Sequence, residues 1–253
     1  MLHFYQAVIL GIVEGITEFL PISSTAHLIL AADLLNLAQT AFMKSFEIII
    51  QFGAILAVLF LYWRSFLNWE ILKRLAVAFL PTGVLGLIFY KLIKTYLLSS
   101  EVLVLWTLFL GGIGLIIFEK MHREKETALD DVSKISYRKC LTIGLFQSVA
   151  MVPGVSRSAA TIIGGLILGM KRRTILEFSF LLAVPTMLAA TGFDLLKSAG
   201  SFSLEQANFL MIGFATSFVA AILGIKFLLS YVRKNSFFAF GVYRVVAVIL
   251  FLL

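Results

Sequence analysis

Apolar residues in this chain run in long, nearly unbroken stretches separated by short polar punctuation, not in the one-sided stripes of soluble helices. Nine stretches stand out, at 4–20, 21–37, 42–63, 71–93, 100–118, 139–169, 174–193, 207–230 and 236–253. A helix that crosses a bilayer needs about 20 apolar residues. The stretches 4–20 and 21–37 are each short and meet at Pro21, and the run 139–169 is broken at Pro153-Gly154. Each broken run therefore predicts a helix-turn-helix that dips into the membrane and returns to the same side. Such irregular backbone survives at membrane depth only where protein or a wet cavity surrounds it. The pattern predicts an all-α integral membrane protein with six transmembrane helices plus two re-entrant hairpins.

The polar residues inside these runs gather at the two breaks. The first break is Glu14-Gly15-Ile16-Thr17-Glu18-Phe19-Leu20-Pro21-Ile22-Ser23-Ser24-Thr25-Ala26-His27, and the second is Gln147-Ser148-Val149-Ala150-Met151-Val152-Pro153-Gly154-Val155-Ser156-Arg157-Ser158. The halves echo each other at a nearly constant offset: Gly11 matches Gly144, Glu14 matches Gln147, Pro21 matches Pro153, Ser24 matches Ser156 and Phe46 matches Phe178. One membrane domain, 1–253, then holds repeat one at 1–118, a cytoplasmic loop at 119–138 and repeat two at 139–253. A hairpin plus three crossings per half is an odd number, so the second half must be inverted relative to the first, a plan found in transporters.

Composition and charge agree with this plan. Of 253 residues, 60% are hydrophobic and 14% charged, against about 25% charged in soluble domains. The N-terminal segment lacks the basic region and cleavage site of a signal peptide, so the first stretch is expected to stay. The single cysteine, Cys140, excludes an internal disulfide or a cysteine metal cluster and reads as a small buried hydrophobe. The net charge of +7 points to topology and not to a nucleic acid, because the basic residues lie in short loops. One side holds Arg64, Lys73, Arg74, Lys120, Arg123, Lys125, Lys134, Arg138, Lys139, Lys171, Arg172, Arg173, Arg233 and Lys234, fourteen in all; the other holds Lys44, Lys91, Lys94 and Lys197, four. The richer side is cytoplasmic by the positive-inside rule. Both termini then face outward, and the hairpins enter from opposite faces with tips that can meet near the midplane. The loop after residue 118 is expected to be a solvated connector.

Ionisable groups at membrane depth cost about 2.5–3.5 kcal/mol each on insertion scales, which makes them functional candidates. Glu14 and Glu18 share one helix face. Two carboxylates so close in low dielectric do not both ionise freely unless a cation bridges them, which suits a general base or a site for a hard divalent cation such as magnesium or calcium. Ser23, Ser24 and Thr25 follow Pro21, where proline suits the first helical position and the hydroxyls can cap the returning helix. The same helix start offers an anion site, and a serine beside a glutamate or His27 can be an activated nucleophile. Arg157 brings a guanidinium that matches phosphate oxygens in pairs, flanked by Ser156 and Ser158. Glu47 and Gln51 read as supporting groups, Glu177 as a partner of Lys171-Arg172-Arg173, and Lys226 and Arg244 as side chains that snorkel to an interface.

The two motifs, Glu14–His27 and Pro153–Thr161, resemble those of the undecaprenyl-diphosphate phosphatases linked to bacitracin resistance, and the likeness extends over essentially the whole chain. The resemblance implies hydrolysis of a polyprenyl diphosphate, the C55 carrier lipid, to the monophosphate, which recycles the carrier for peptidoglycan. It implies a bacterial inner-membrane enzyme whose active site opens to the extracytoplasmic side. It also implies Ser24 as nucleophile, Glu18 and Glu14 as base or metal-organising carboxylates, and His27 in proton transfer. Arg157 would hold the diphosphate together with Ser23, Thr25, Ser156 and Ser158, helped by Mg2+ or Ca2+. Ala26 and Ala159 stand where such motifs more often carry glycine. The alternatives are an inverted-repeat secondary transporter or lipid-carrier flippase, and a non-catalytic binder of lipid diphosphate. The chain-length preference, and whether copies pair as a homodimer, stay open.

Overall fold

Both polar breaks interrupt the helices in the computed structural model, which describes residues 2–38, 40–92, 97, 100–198 and 204–252. Helix α1 (Phe4–Thr17) stops before Glu18 and α2 (Ser24–Leu34) starts after Ser23, while α6 (Tyr137–Val149) and α7 (Arg157–Ile167) flank the second break. The remaining helices are α3 (Ala41–Leu61), α4 (Trp69–Leu92), α5 (Glu101–Met121), α8 (Arg172–Ser198), α9 (Leu204–Tyr231) and α10 (Phe238–Leu252). No strand occurs among the described residues; an isolated bridge pairs Leu129 with Met170. Pro21 lies in the turn and not at the first helical position expected for it, because Ser23, with φ 71° and ψ 96°, cannot continue a helix.

Five helices, α3, α4, α5, α8 and α9, are long and apolar enough to cross a membrane. The sixth expected crossing, 236–253, forms the 15-residue α10, about 22 Å at the usual rise. Large apolar side chains such as Phe60, Leu87, Ile88, Leu110, Met211 and Leu223 are more than half exposed, as a lipid-facing surface requires. Lys94 of the charge count, and the side chain of Lys197, lie outside the described residues.

Helix α1 packs against α9, α6 against α4, α3 against both α8 and α9, and α5 against α10. Small residues permit the closest approaches. A Cβ on Gly11 would lie 2.7 Å from the Gly213 carbonyl of α9, and one on Gly144 would lie 2.1 Å from the Ala78 carbonyl of α4. The two matched glycines of the repeat thus seat α1 and α6 on different partners by the same device, small residues that let backbones touch.

The connector after α5 departs from the solvated loop expected of it. Val132 and Ile135 are buried in the main core, and the Arg74 side chain donates to the Ile135 carbonyl at 2.7 Å. Glu119, at the end of α5, is 8% exposed. Both of its oxygens accept from Arg172 at 2.7 and 2.9 Å, and one also accepts the Phe237 main-chain N–H. Arg172 therefore pairs with Glu119, while Arg173 is the member of its triplet that acts on Glu177. Arg244 differs too. It is 1% exposed and donates to the carbonyls of Thr107, Leu108 and Gly154 instead of snorkelling, whereas Lys226 is exposed.

Removing one partner of a buried ion pair strands the other, typically at about 3–5 kcal/mol. Arg172→Ala is expected to lower the thermal midpoint of the purified protein in detergent, and Arg172→Lys, which keeps the charge but loses the paired geometry, to lower it less.

Candidate active site

Glu18, the first residue after α1, is where the two breaks join. Its Oε2 accepts the Ser24 hydroxyl at 2.5 Å, and its Oε1 accepts Nη2 of Arg157 at 3.1 Å. A hydroxyl, a carboxylate and a guanidinium thus stand in a row, two from the first break and one from the second, 139 residues away from Glu18. Arg157 also donates through Nη1 to the Ser179 carbonyl of α8 at 3.0 Å, and its buried Nε has no hydrogen-bond partner. Ser179 is fixed in turn, its hydroxyl 2.6 Å from that of Thr161 on α7.

Glu14 lies one turn before Glu18 and is fully buried, with neither carboxylate oxygen in a hydrogen bond. Glu18, Glu47 and Arg157 are the charged groups close enough to act on it. A carboxylate without partners in a dry interior needs a proton or a cation. The donor set is hard, all carboxylate oxygen, and no cluster of three or more histidine, cysteine or acidic residues occurs among the described residues. Carboxylate oxygens of this kind are the donors a hard divalent cation, Mg2+ or Ca2+, would take alongside waters and phosphate oxygens.

The helices that follow the breaks are capped differently. In α7, the Ser156 hydroxyl accepts from the Ala159 N–H at 3.2 Å, as an N-cap serine should. It also stands 3.0 Å from the Ser158 hydroxyl, which donates to the Leu20 carbonyl at 2.8 Å. Ser156 and Ser158 thereby tie the second turn onto the first. In α2, Ser23 occupies the cap position but its side chain makes no capping bond, contrary to the capping expected of it. Its positive φ lies outside the extended region a capping residue uses and holds about 1–3 kcal/mol of local strain. The first N–H groups of α2 consequently start uncapped beside Ser24, with Thr25 half-buried in the same turn. Ala26 and Ala159 both sit in helical first turns and neither has a positive φ, so a methyl is tolerated at each.

The second turn is gripped from outside. Gly154 has φ +87°, and a Cβ there would strike the Thr107 hydroxyl of α5; that hydroxyl donates to the Pro153 carbonyl at 2.5 Å. Arg244 of α10 donates to the Gly154 carbonyl at 3.2 Å.

His27 is buried, with Nδ1 2.8 Å from the Ser23 carbonyl and Nε2 2.8 Å from the Tyr243 hydroxyl of α10. The sequence reading passes over Tyr243 and Ser179. A tyrosine near the end of an apolar helix looks like an interface anchor, and nothing local marks a residue that lies 216 positions from its partner. The structure brings Glu14, Glu18, Ser23, Ser24, His27, Arg157, Ser156 and Ser158 to one place.

Comparison with known proteins gives the same picture over nearly the whole chain. The family model for bacitracin resistance protein BacA matches residues 7–250. An undecaprenyl-diphosphatase of Aquifex aeolicus is 52% identical over 242 residues, covering 95% of this chain and 94% of the relative. One from a Sulfurihydrogenibium species is 50% identical over 248 residues, 98% of each, and one from Persephonella marina is 51% identical over 249 residues, 98% of this chain and 97% of the relative. With matches of this extent and identity, the chain belongs to the bacitracin resistance protein BacA family.

Proposed function

We propose that this protein is an integral-membrane phosphatase that hydrolyses undecaprenyl diphosphate to the monophosphate and inorganic phosphate, recycling a carrier lipid for peptidoglycan synthesis and thereby opposing bacitracin. The relatives are undecaprenyl-diphosphatases, which supports the substrate class. The observation that carries the chemistry is the row Ser24–Glu18–Arg157. Transfer of a phosphoryl group asks for positioning and charge stabilisation more than for covalent help, and this row supplies both.

In the scheme, the terminal phosphoryl group lies between the start of α2 and Arg157. The uncapped N–H groups of α2, favoured further by the helix dipole, and Nε of Arg157 hold its oxygens. Ser24 Oγ attacks phosphorus and passes its proton to Glu18. The Oγ–P bond forms as the anhydride P–O bond breaks, and polyprenyl phosphate leaves with its own bridging oxygen. Glu18 releases the first proton to the departing polyprenyl phosphate. Water then attacks the phosphoserine and gives its proton to Glu18, the Oγ–P bond breaks, Glu18 returns that proton to Ser24 Oγ, and orthophosphate is freed. Glu14, with Glu18, would hold a divalent cation; when bound, that cation neutralises charge on the phosphate oxygens. Ser156 and Ser158 brace the two turns in this scheme.

The finer layout follows from the same reading. With α10 as a sixth crossing, the α1–α2 and α6–α7 hairpins enter from opposite faces, and the halves form an inverted repeat. The matched glycines Gly11 and Gly144, one against α9 and the other against α4, support it, as does the fourteen-to-four division of basic residues. The site then opens outward in the bacterial inner membrane.

Purified protein in detergent is expected to release phosphate from farnesyl or undecaprenyl diphosphate. Ser24→Ala, Glu18→Ala and Arg157→Ala should each lose at least about 10²-fold in turnover, the scale of removing a nucleophile or a charge-stabilising donor; near-normal turnover in Ser24→Ala overturns the scheme. Titrating magnesium or calcium against Glu14→Gln should move half-maximal activity to higher cation concentration, and an unmoved midpoint removes Glu14 from the cation. A reporter fused after α10 should read as extracytoplasmic, and a cytoplasmic signal rules out the sixth crossing.

A further inference from the structure

His27 stands next to the reacting serine, yet its hydrogen bonds lead elsewhere. A carbonyl oxygen can only accept, so Nδ1, 2.8 Å from the Ser23 carbonyl, carries the hydrogen. In the neutral ring Nε2 then accepts from the Tyr243 hydroxyl, 2.8 Å away, with the two rings within 10° of parallel. Both ring nitrogens are occupied, and the Ser24 hydroxyl is given to Glu18. The main-chain N–H of His27 also donates to the Ser23 carbonyl, at 3.2 Å. One residue therefore grips one carbonyl twice.

That carbonyl belongs to a residue in need of a grip. Among the described residues, Ser23 and Asn36 alone have a positive φ without being glycine. The Asn36 angle of 52° falls in the ordinary left-handed well, where asparagine is tolerated. Ser23, with ψ 96°, lies outside that well. Conformations of this kind persist only when the surroundings over-determine them. Ser23 directly precedes Ser24, so relaxation of its φ and ψ would swing both the Ser24 hydroxyl and the first N–H groups of α2.

We propose that His27 is a positioning residue: its Nδ1–H holds the strained Ser23 peptide in place and so aims Ser24 at phosphorus, with Tyr243 of α10 locking the ring in the tautomer this requires. This rests on the reading of Ser24 as nucleophile. It assigns Tyr243 a role in turnover without contact to phosphorus. It also assigns the proton traffic to Glu18 and not to the imidazole. Arg244 is the charged group that acts on the ring, and it also ties α10 to the second turn, so α10 supports both turns.

The test separates a hydrogen-bonding strut from a proton carrier. Asparagine can place an amide N–H where Nδ1 stands, glutamine where Nε2 stands, and alanine neither. Misplacement of a reacting group by about 1 Å costs up to about 10²-fold, so His27→Ala should lose between about tenfold and 10²-fold in kcat, with His27→Gln close to it. His27→Asn should retain at least about tenfold more than His27→Ala and keep both limbs of the pH profile of kcat/KM. Glycine adopts φ near 71° without strain, so adding Ser23→Gly to His27→Ala should recover activity, and Tyr243→Phe should lower kcat with KM little changed. Thermal midpoints are measured for every variant, and the double variant carries the test if a single one misfolds. A His27→Asn enzyme as inactive as His27→Ala, with no recovery from Ser23→Gly, overturns the proposal, as does loss of one limb of the pH profile. Ser24→Ala, run alongside, reports on the nucleophile itself: if it stays active, the underlying reading fails first.

Discussion

The carboxylate of Glu18 takes a hydroxyl on one oxygen and a guanidinium on the other, and the organisation of the molecule follows from that double contact. A charged arginine and a charged glutamate within an apolar helix bundle are each expensive, and each justifies the other only when held at hydrogen-bonding distance. The two turns that carry them lie 139 positions apart in the chain, so the bond requires both turns to meet. Ser158 repeats the requirement in neutral form, donating from the second turn into the Leu20 carbonyl of the first.

Rigidity around that contact is supplied by the outer helices. Thr107 of α5 and Arg244 of α10 bind the carbonyls of Pro153 and Gly154, while Ser179 of α8 receives the other arm of Arg157. The Arg244 guanidinium, held by the main-chain carbonyls of Thr107, Leu108 and Gly154, keeps its direction and places a fixed positive charge beside the second turn. Irregular backbone is admissible inside an apolar bundle where its carbonyls meet donors, and those of Val152, Pro153 and Gly154 in the second turn each do. Among the buried polar atoms left without a hydrogen bond in the described residues are both oxygens of Glu14 and the Nε of Arg157, groups that a cation and a phosphate would satisfy.

The two breaks share a sequence pattern but differ in geometry. In the second, Ser156 caps its own helix and is spent on structure. In the first, Ser23 is turned out of capping geometry, so the helix start and the next serine remain available. The same sequence motif, a proline followed by serines, thus yields a capped brace in one half and an uncapped helix start in the other.

Much of this was legible in the chain itself. Long apolar stretches dictate membrane-spanning helices because a bilayer satisfies no backbone groups; Pro21 and Pro153-Gly154 mark the breaks because proline and glycine end helices; Glu14, Glu18, Ser24, His27 and Arg157 declare themselves because polar groups are costly at that depth. Pairings between distant segments were not legible. Arg244 reads as a snorkelling side chain until α5 and the second turn are seen to surround it, Glu119 reads as loop charge until Arg172 folds onto it, and Tyr243 has no local mark at all. Hydrophobicity and helix propensity act over neighbouring residues and can be read in order along a chain, whereas the partner of a buried hydrogen bond is chosen by packing, which only the assembled helices decide.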